Sequence, residues 1–242
     1  MFYFDVHCHI LPGVDDGAKN INITMDMIDF AYDEGIRAMI LTPHYHGGYV
    51  ETPRHVIDET YMMLRDAVAR RHPDMRLFIG NEIYYYPSVP DWIAEGRVHS
   101  LADSAYVLLE FSNSVEKRTL KEAVQNINSY GYYPILAHVE RYNCLVKDPY
   151  YVEELVTNGA LIQCNAKAII GDEGLRARHF TRKLLKYEMV HFVGTDAHSM
   201  GSRKPEMADC ADYLIKKFGK DYAARLLYAN AVCIINNAPI QG

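Results

Sequence analysis

The chain has 242 residues, 49% hydrophobic and 23% charged, an ordinary composition for a soluble globular protein long enough to bury a sizeable core. Its formal net charge of −6 argues against a general nucleic-acid binder, which would need a basic face. No apolar run reaches membrane-span length, the first residues lack a signal-peptide pattern, and five dispersed cysteines without Cys-x-x-Cys point to reduced thiols in a cytoplasmic protein.

The first apolar run, Phe2-Tyr3-Phe4, leads into Asp5-Val6-His7-Cys8-His9. On a strand, His7 and His9 share a face, and paired neutral imidazoles can bind one divalent cation. The run breaks at Pro12-Gly13, and a turn brings Asp15 and Asp16 close to the two imidazoles. Residues 22–34 have helical spacing at Ile23, Met27, Phe30 and Ala31, and Gly35 ends them. Residues 38–42 read as a buried strand that stops at Pro43 and presents His44. Pro53 is expected to open the next helix. Residues 76–79 form a third strand with Glu82 beyond its end, followed by the aromatic loop Tyr84-Tyr85-Tyr86-Pro87 and a short helix near Trp92.

Residues 106–109 are a fourth strand ending at Glu110, and 120–130 a helix closed by Gly131. Residues 133–137 are a fifth strand ending at His138, with Arg141 just beyond. A helix over 151–158 precedes a sixth strand, 161–165, and a helix over 175–187 precedes a seventh, 190–194, which ends in Thr195-Asp196-Ala197-His198. Helices over 207–218 and 222–228 close the chain. The alternation implies a parallel sheet with helical crossovers, and its number of units favours a distorted barrel over an open doubly wound sheet. With no linker or internal repeat, residues 1–242 are expected to be one domain.

Parallel barrels gather functional residues at the C-terminal ends of their strands. Here those positions carry His7, His9, His44, Glu82, Glu110, His138, Asp196 and His198. Any one of them reads as a satisfied polar residue, but so many imidazoles and carboxylates in one mouth would be costly without metal. The remaining histidines read as bystanders, with His46 the closest to the site. Cys-x5-Arg, Gly-x-x-x-x-Gly-Lys-Ser/Thr and Gly-x-Ser-x-Gly are all absent, which leaves metal-assisted hydrolysis. Arg141 and Arg203 each follow a strand-end residue and are candidate forks for phosphate oxygens. Tyr84, Tyr85, Tyr86 and Tyr142 are candidates for the rim of the mouth.

Taken together, Asp-Val-His-Cys-His-Ile, Val-Asp-Asp-Gly, Gly-Asn-Glu-Ile-Tyr-Tyr, Leu-Glu-Phe, Ala-His-Val-Glu-Arg-Tyr and Thr-Asp-Ala-His resemble the PHP (polymerase and histidinol phosphatase) superfamily. The branch they resemble is the bacterial metal-dependent protein-tyrosine phosphatases of capsular and exopolysaccharide synthesis systems. The resemblance implies a TIM-barrel-like, distorted (β/α)7 barrel of the PHP fold. It implies three divalent ions, manganese foremost, with iron, zinc or magnesium as alternatives. His7, His9, Glu82 and Asp196 would hold the first; Glu82, Glu110 and His138 the second; Asp16, His44 and His198 the third. Arg141 and Arg203 would grip the phosphate. The implied substrate is a tyrosine-phosphorylated bacterial kinase or its tyrosine-rich tail, with no nucleic acid and no membrane span. Cys8 stands where the family usually has serine and is expected to point away from the metals. The alternatives are a small-molecule phosphatase acting on a histidinol-phosphate-like substrate, an amidohydrolase-type enzyme, and a metal-stabilised regulatory binder without turnover.

Overall fold

Parallel strand segments form the centre of the molecule: β1 (Tyr3–Cys8), β2 (Ile36–Leu41), β3 (His44–Tyr45), β4 (Arg76–Ile79), β5 (Glu82–Tyr84), β6 (Tyr106–Glu110), β7 (Tyr133–Leu136), β8 (Leu161–Asn165) and β9 (Phe192–Gly194). The structure is a computed structural model that describes residues 2–240. Two breaks divide what are otherwise continuous strands. Leu41 pairs with Ile79 and His44 with Glu82, so the register of β2 on β4 continues unchanged in β3 on β5. The intervening backbone keeps the ladder, with Gly80 N–H donating to Leu41 O and Glu82 N–H to Pro43 O. Counting each broken pair once leaves seven parallel strands, in the order in which they occur in the chain.

The seventh strand meets the first. Asp196 N–H donates to His7 O and His9 N–H to Ala197 O, both at 2.8 Å. Asp5 reinforces this seam: its carboxylate accepts from Thr195 N–H at 2.9 Å and from the Thr195 hydroxyl at 2.5 Å. The result is the expected distorted (β/α)7 barrel, with apolar helix faces packed on its outside. Helix Ile21–Asp33 begins at Asn20, whose side chain caps two backbone N–H groups. Helix Arg54–Arg71 starts one residue later than Pro53 suggested, with the proline in the cap position.

Strand alternation sorts the barrel interior into two storeys. The lower storey is apolar, with Phe4, Val6, Ala38, Ile40, Leu108, Ile135 and Phe192 closed beneath by Ala231 and Ile234. The upper storey is polar and lies at the C-terminal mouth. Two local irregularities aim residues into it. A bulge between Asp5 and Cys8 lets His7 follow Val6 on the interior side, which simple alternation forbids. His138 follows the inward-facing Ala137, and its left-handed backbone (φ 31°) turns it inward too.

The closing segment differs from its expected form. Instead of a helix over 222–228, helical structure runs from Lys220 to Ile235 through a π turn at Arg225–Ala229. Asn230 is tolerated within it because its amide donates to His191 O at 2.8 Å, tying the helix to the start of β9.

Candidate metal centre

Glu82 is fully buried at the centre of the polar storey. Its Oε2 lies 3.2 Å from His7 Nε2, 3.1 Å from His9 Nε2 and 3.1 Å from His44 Nδ1. Its Oε1 bonds His138 Nε2 at 2.7 Å. Glu110, half-buried, reaches His44 and His138 at 3.6 and 3.7 Å. Asp196 Oδ1 is 3.6 Å from His7, His9 and His198. Asp16, the most exposed of the set, lies 3.4 Å from His198 and 3.6 Å from His44. All nine sequence candidates for metal ligation therefore occur in one mouth: seven form three overlapping groups, His138 adjoins them through Glu82 and Glu110, and Asp196 through His7, His9 and His198. The proximities draw the groups slightly differently from the implied sets. His9 also stands with Asp16, His44 and His198, and His44 also stands with Glu82 and Glu110.

These residues fit divalent ions. Despite its three close imidazoles, Glu82 Oε2 has no hydrogen bond, and His198 Nε2 and His138 Nδ1 are also buried and unpaired. His7 Nε2 and His9 Nε2 stand 3.2 Å apart, and neutral rings protonated at Nδ1 present only lone pairs there, so neither can donate to the other. A buried oxygen crowded by nitrogens without hydrogen-bond alignment suits coordination better than a polar network. The outer partners agree: His7 Nδ1 meets Gln163 Oε1 at 3.1 Å, His9 Nδ1 meets Asp15 Oδ2 at 2.8 Å, and His198 Nδ1 meets the Asp196 carbonyl at 2.9 Å. Each contact places the ring proton on Nδ1 and leaves Nε2 to face the cluster.

Charge is redistributed accordingly. Burial would raise the Glu82 carboxyl, but His7 and His138 outweigh it and hold Glu82 well below the usual carboxylate range. Glu110 moves the other way, pushed up to about 8 by burial and by the Glu82 charge. Opposite shifts on adjacent carboxylates mean that the pair resists a second negative charge unless a cation joins them. Asp196, like His138, has a left-handed backbone (φ 52°). Non-glycine residues in that conformation store strain, which concentrates at functional sites.

Arg141 and Arg203 both reach this centre. Arg141 Nη2 donates to Asp196 Oδ2 at 2.6 Å and Arg203 Nη2 to Asp196 Oδ1 at 2.7 Å. They are thus anchored to a member of the cluster rather than standing apart from it over the mouth. Each guanidinium has other N–H donors left over.

The aromatic candidates divide. Tyr142 is completely buried, its ring edge-on to His138 at 6.0 Å, so it does not line the rim. Tyr85 packs on Phe111 and bonds Asn126. Tyr84 is stacked on His46 at 4.0 Å, and Tyr86 bonds the His46 ring at 3.2 Å. His46 and Tyr84 lie two residues beyond His44 and Glu82 on the same strand faces, so they form the lip above the cluster. Cys8 Sγ donates to Ile40 O on the neighbouring strand.

Sequence reasoning missed Gln163 and Asn165, and it named Asp15 only as one of two turn carboxylates near the imidazoles. Gln163 Oε1 also accepts from His138 N–H at 2.7 Å, and Asn165 donates to Asp196 Oδ2 at 3.2 Å. The available signal was the pair of polar residues at alternate positions of β8, an inward face that an apolar barrel would not place there.

Residues 3–236 match the family described as capsular polysaccharide synthesis, CpsB/CapC. The chain is 31% identical over 236 residues to tyrosine-protein phosphatase CpsB of Streptococcus pneumoniae, covering 96% of this chain and 97% of that protein. A solved structure described as YwqE from Bacillus subtilis and CpsB from Streptococcus pneumoniae, unique metal-dependent tyrosine phosphatases, superposes with a TM-score of 0.92 at 29% identity, covering 98% of this chain and 96% of that chain. Histidinol phosphate phosphatase from Lactococcus lactis is similar in fold alone, with a TM-score of 0.60 at 13% identity and coverage of 89% and 93%.

Proposed function

Because the chain belongs to the CpsB/CapC family of capsular polysaccharide synthesis proteins, we propose that it is a metal-dependent protein-tyrosine phosphatase in which the nine mouth residues hold the metal. The observation that carries the site assignment is the convergence of three imidazole nitrogens on the unpaired Glu82 Oε2. His7, His9, Glu82 and Asp196 would hold one of three divalent ions, Glu110 and His138 with Glu82 a second, and Asp16, His44 and His198 a third. The mixed imidazole and carboxylate set suits manganese first, with iron, zinc and magnesium as alternatives.

When bound, such ions lower the pKa of water and neutralise charge on phosphoryl oxygens. The chain's own residues do the rest. Asp196 orients Arg141 and Arg203, and their remaining N–H donors grip phosphate oxygens as charge spreads over them in the transition state. The aromatic lip of His46 and Tyr84 packs against the tyrosine ring and shields the phosphate from water. The phenolate leaving group comes from an alcohol of pKa about 10, so it departs more easily than an alkoxide. The protein works in the cytoplasm as one phosphatase domain on the phosphotyrosines of a bacterial kinase tail. No helix of the described residues is long and apolar enough to cross a membrane.

Chelation should abolish hydrolysis of an aryl phosphate, and restored manganese should return it. Replacing all five cysteines by serine should leave the rate of the folded protein within about an order of magnitude, because no thiol is assigned a step. Activity that survives chelation but not cysteine replacement would overturn the proposal.

A further inference from the structure

We propose that a cationic groove beside the mouth docks an acidic peptide segment next to the phosphotyrosine, an inference that rests on the phosphatase reading above. The groove, about 750 Å³, is lined by Lys117, Arg118, Lys147 and Arg176, with Glu116 as its one carboxylate. These residues belong to the connections that follow β6, β7 and β8, so the groove lies on the rim that carries the candidate metal centre. Two of those connections are joined where Asn143 N–H donates to Asn113 O at 2.9 Å, two residues beyond Arg141 and three beyond Glu110.

The charges there are placed against local stability. Helices Lys117–Ser129 and Leu175–Lys186 have no acidic residue in their first turns. Lys117, Arg118 and Arg176 stand instead at those ends, where the helix dipole is already positive. Lys117 is neutralised by Asp148 at 2.6 Å and Arg118 by Glu122 at 2.7 Å. Lys147 and Arg176 are exposed and have no carboxylate partner among the described residues. Uncompensated cations on one rim of a chain with net charge −6 call for an anionic partner. An extended acidic segment running out of the mouth supplies the carboxylates, and exposed pairs of this kind steer association and weaken with salt.

The test uses the full, metal-loaded chain and two phosphotyrosine peptides of equal length, one flanked by Asp and Glu and the other by Asn and Gln. A simple aryl phosphate serves as the third substrate. At low salt the acidic peptide should be preferred by roughly three- to ten-fold in kcat/KM, chiefly through KM, and the preference should shrink at high salt. Lys147→Glu with Arg176→Glu should abolish it, and Lys147→Gln with Arg176→Gln should reduce it, while aryl-phosphate hydrolysis stays unchanged in both. Fluorescence anisotropy with unphosphorylated forms of the two peptides measures docking without turnover, so a failure of the phosphatase reading leaves the groove testable. No preference in the wild type by either measurement, or a preference that survives charge reversal, would overturn the inference.

Discussion

His7, His9 and His198 are each held by a partner that sets the tautomer, and the most informative of these partners is Asp15. Its Oδ2 accepts from His9 Nδ1 at 2.8 Å and from His44 N–H at 3.0 Å, and its Oδ1 from Gly17 N–H at 3.0 Å. One carboxylate thus sets the ring of one candidate ligand and the backbone of another. Gly17 is required for the approach, since a Cβ there would lie 1.9 Å from His9 O. Asp15→Asn keeps the shape but removes the charge that strengthens the His9 nitrogen facing the cluster. Metal affinity should fall about 10- to 100-fold, measured by competition with a chromophoric chelator, with kcat recovering at saturating metal. An unchanged affinity would remove Asp15 from the site. The adjacent Asp15 and Asp16 could not be told apart in the sequence because a turn permits either side chain to face the imidazoles. Their separate roles emerge only from the direction in which the chain leaves Pro12-Gly13.

At the scale of elements, the strand ends were legible because a parallel strand leaves an apolar run followed at once by a polar residue. The sequence signalled the candidate residues after the runs of β1, β2, β4, β6, β7 and β9. What could not be read was how they turn inward. The bulge in β1 and the left-handed residues His138 and Asp196 depend on tertiary contacts, and no local propensity announces them. His44 and Glu82 belong to strand segments of their own, because the ladder resumes after Pro43 and Gly80-Asn81. The junction of β8 and β9 yields a prediction remote from the metal. His191 Nδ1 accepts from Ile162 N–H at 3.1 Å, and burial pushes its pKa down to about 4. The native state therefore keeps His191 neutral where the unfolded chain binds a proton. Stability is lost as pH falls from about 6.5 to about 4, by about 2–3 kcal/mol between pH 7 and pH 4.5. His191→Gln retains an acceptor and does not titrate. In denaturant unfolding at pH 7 and pH 4.5, the variant should lose less stability than wild type by about that amount. Parallel losses would show that His191 contributes nothing to the acid limb.

The whole molecule separates jobs by height in one barrel. Apolar packing fills the lower storey, the polar cluster occupies the upper one, and the connections above it carry the arginines, the aromatic lip and the cationic groove. Net negative charge and a phosphate substrate are compatible because divalent ions held at the mouth would offset its carboxylates, and two arginines share one buried carboxylate beside them. The rival small-molecule phosphatase shares the barrel, but the fold alone does not choose a substrate. The sequence similarity to tyrosine phosphatases covers nearly the full chain, whereas the histidinol phosphatase is similar in fold alone. The central claim concerns Glu82, the residue that joins the ligand groups. It is tested most directly by measuring metal content and phosphotyrosine hydrolysis on the same preparations of wild type and Glu82→Gln, with a thermal melt to verify folding. Wild type should carry bound divalent metal and hydrolyse phosphotyrosine. Glu82→Gln, folded, should lose metal and lose about a hundredfold or more in rate. A folded Glu82→Gln variant with the metal content and rate of wild type would contradict it.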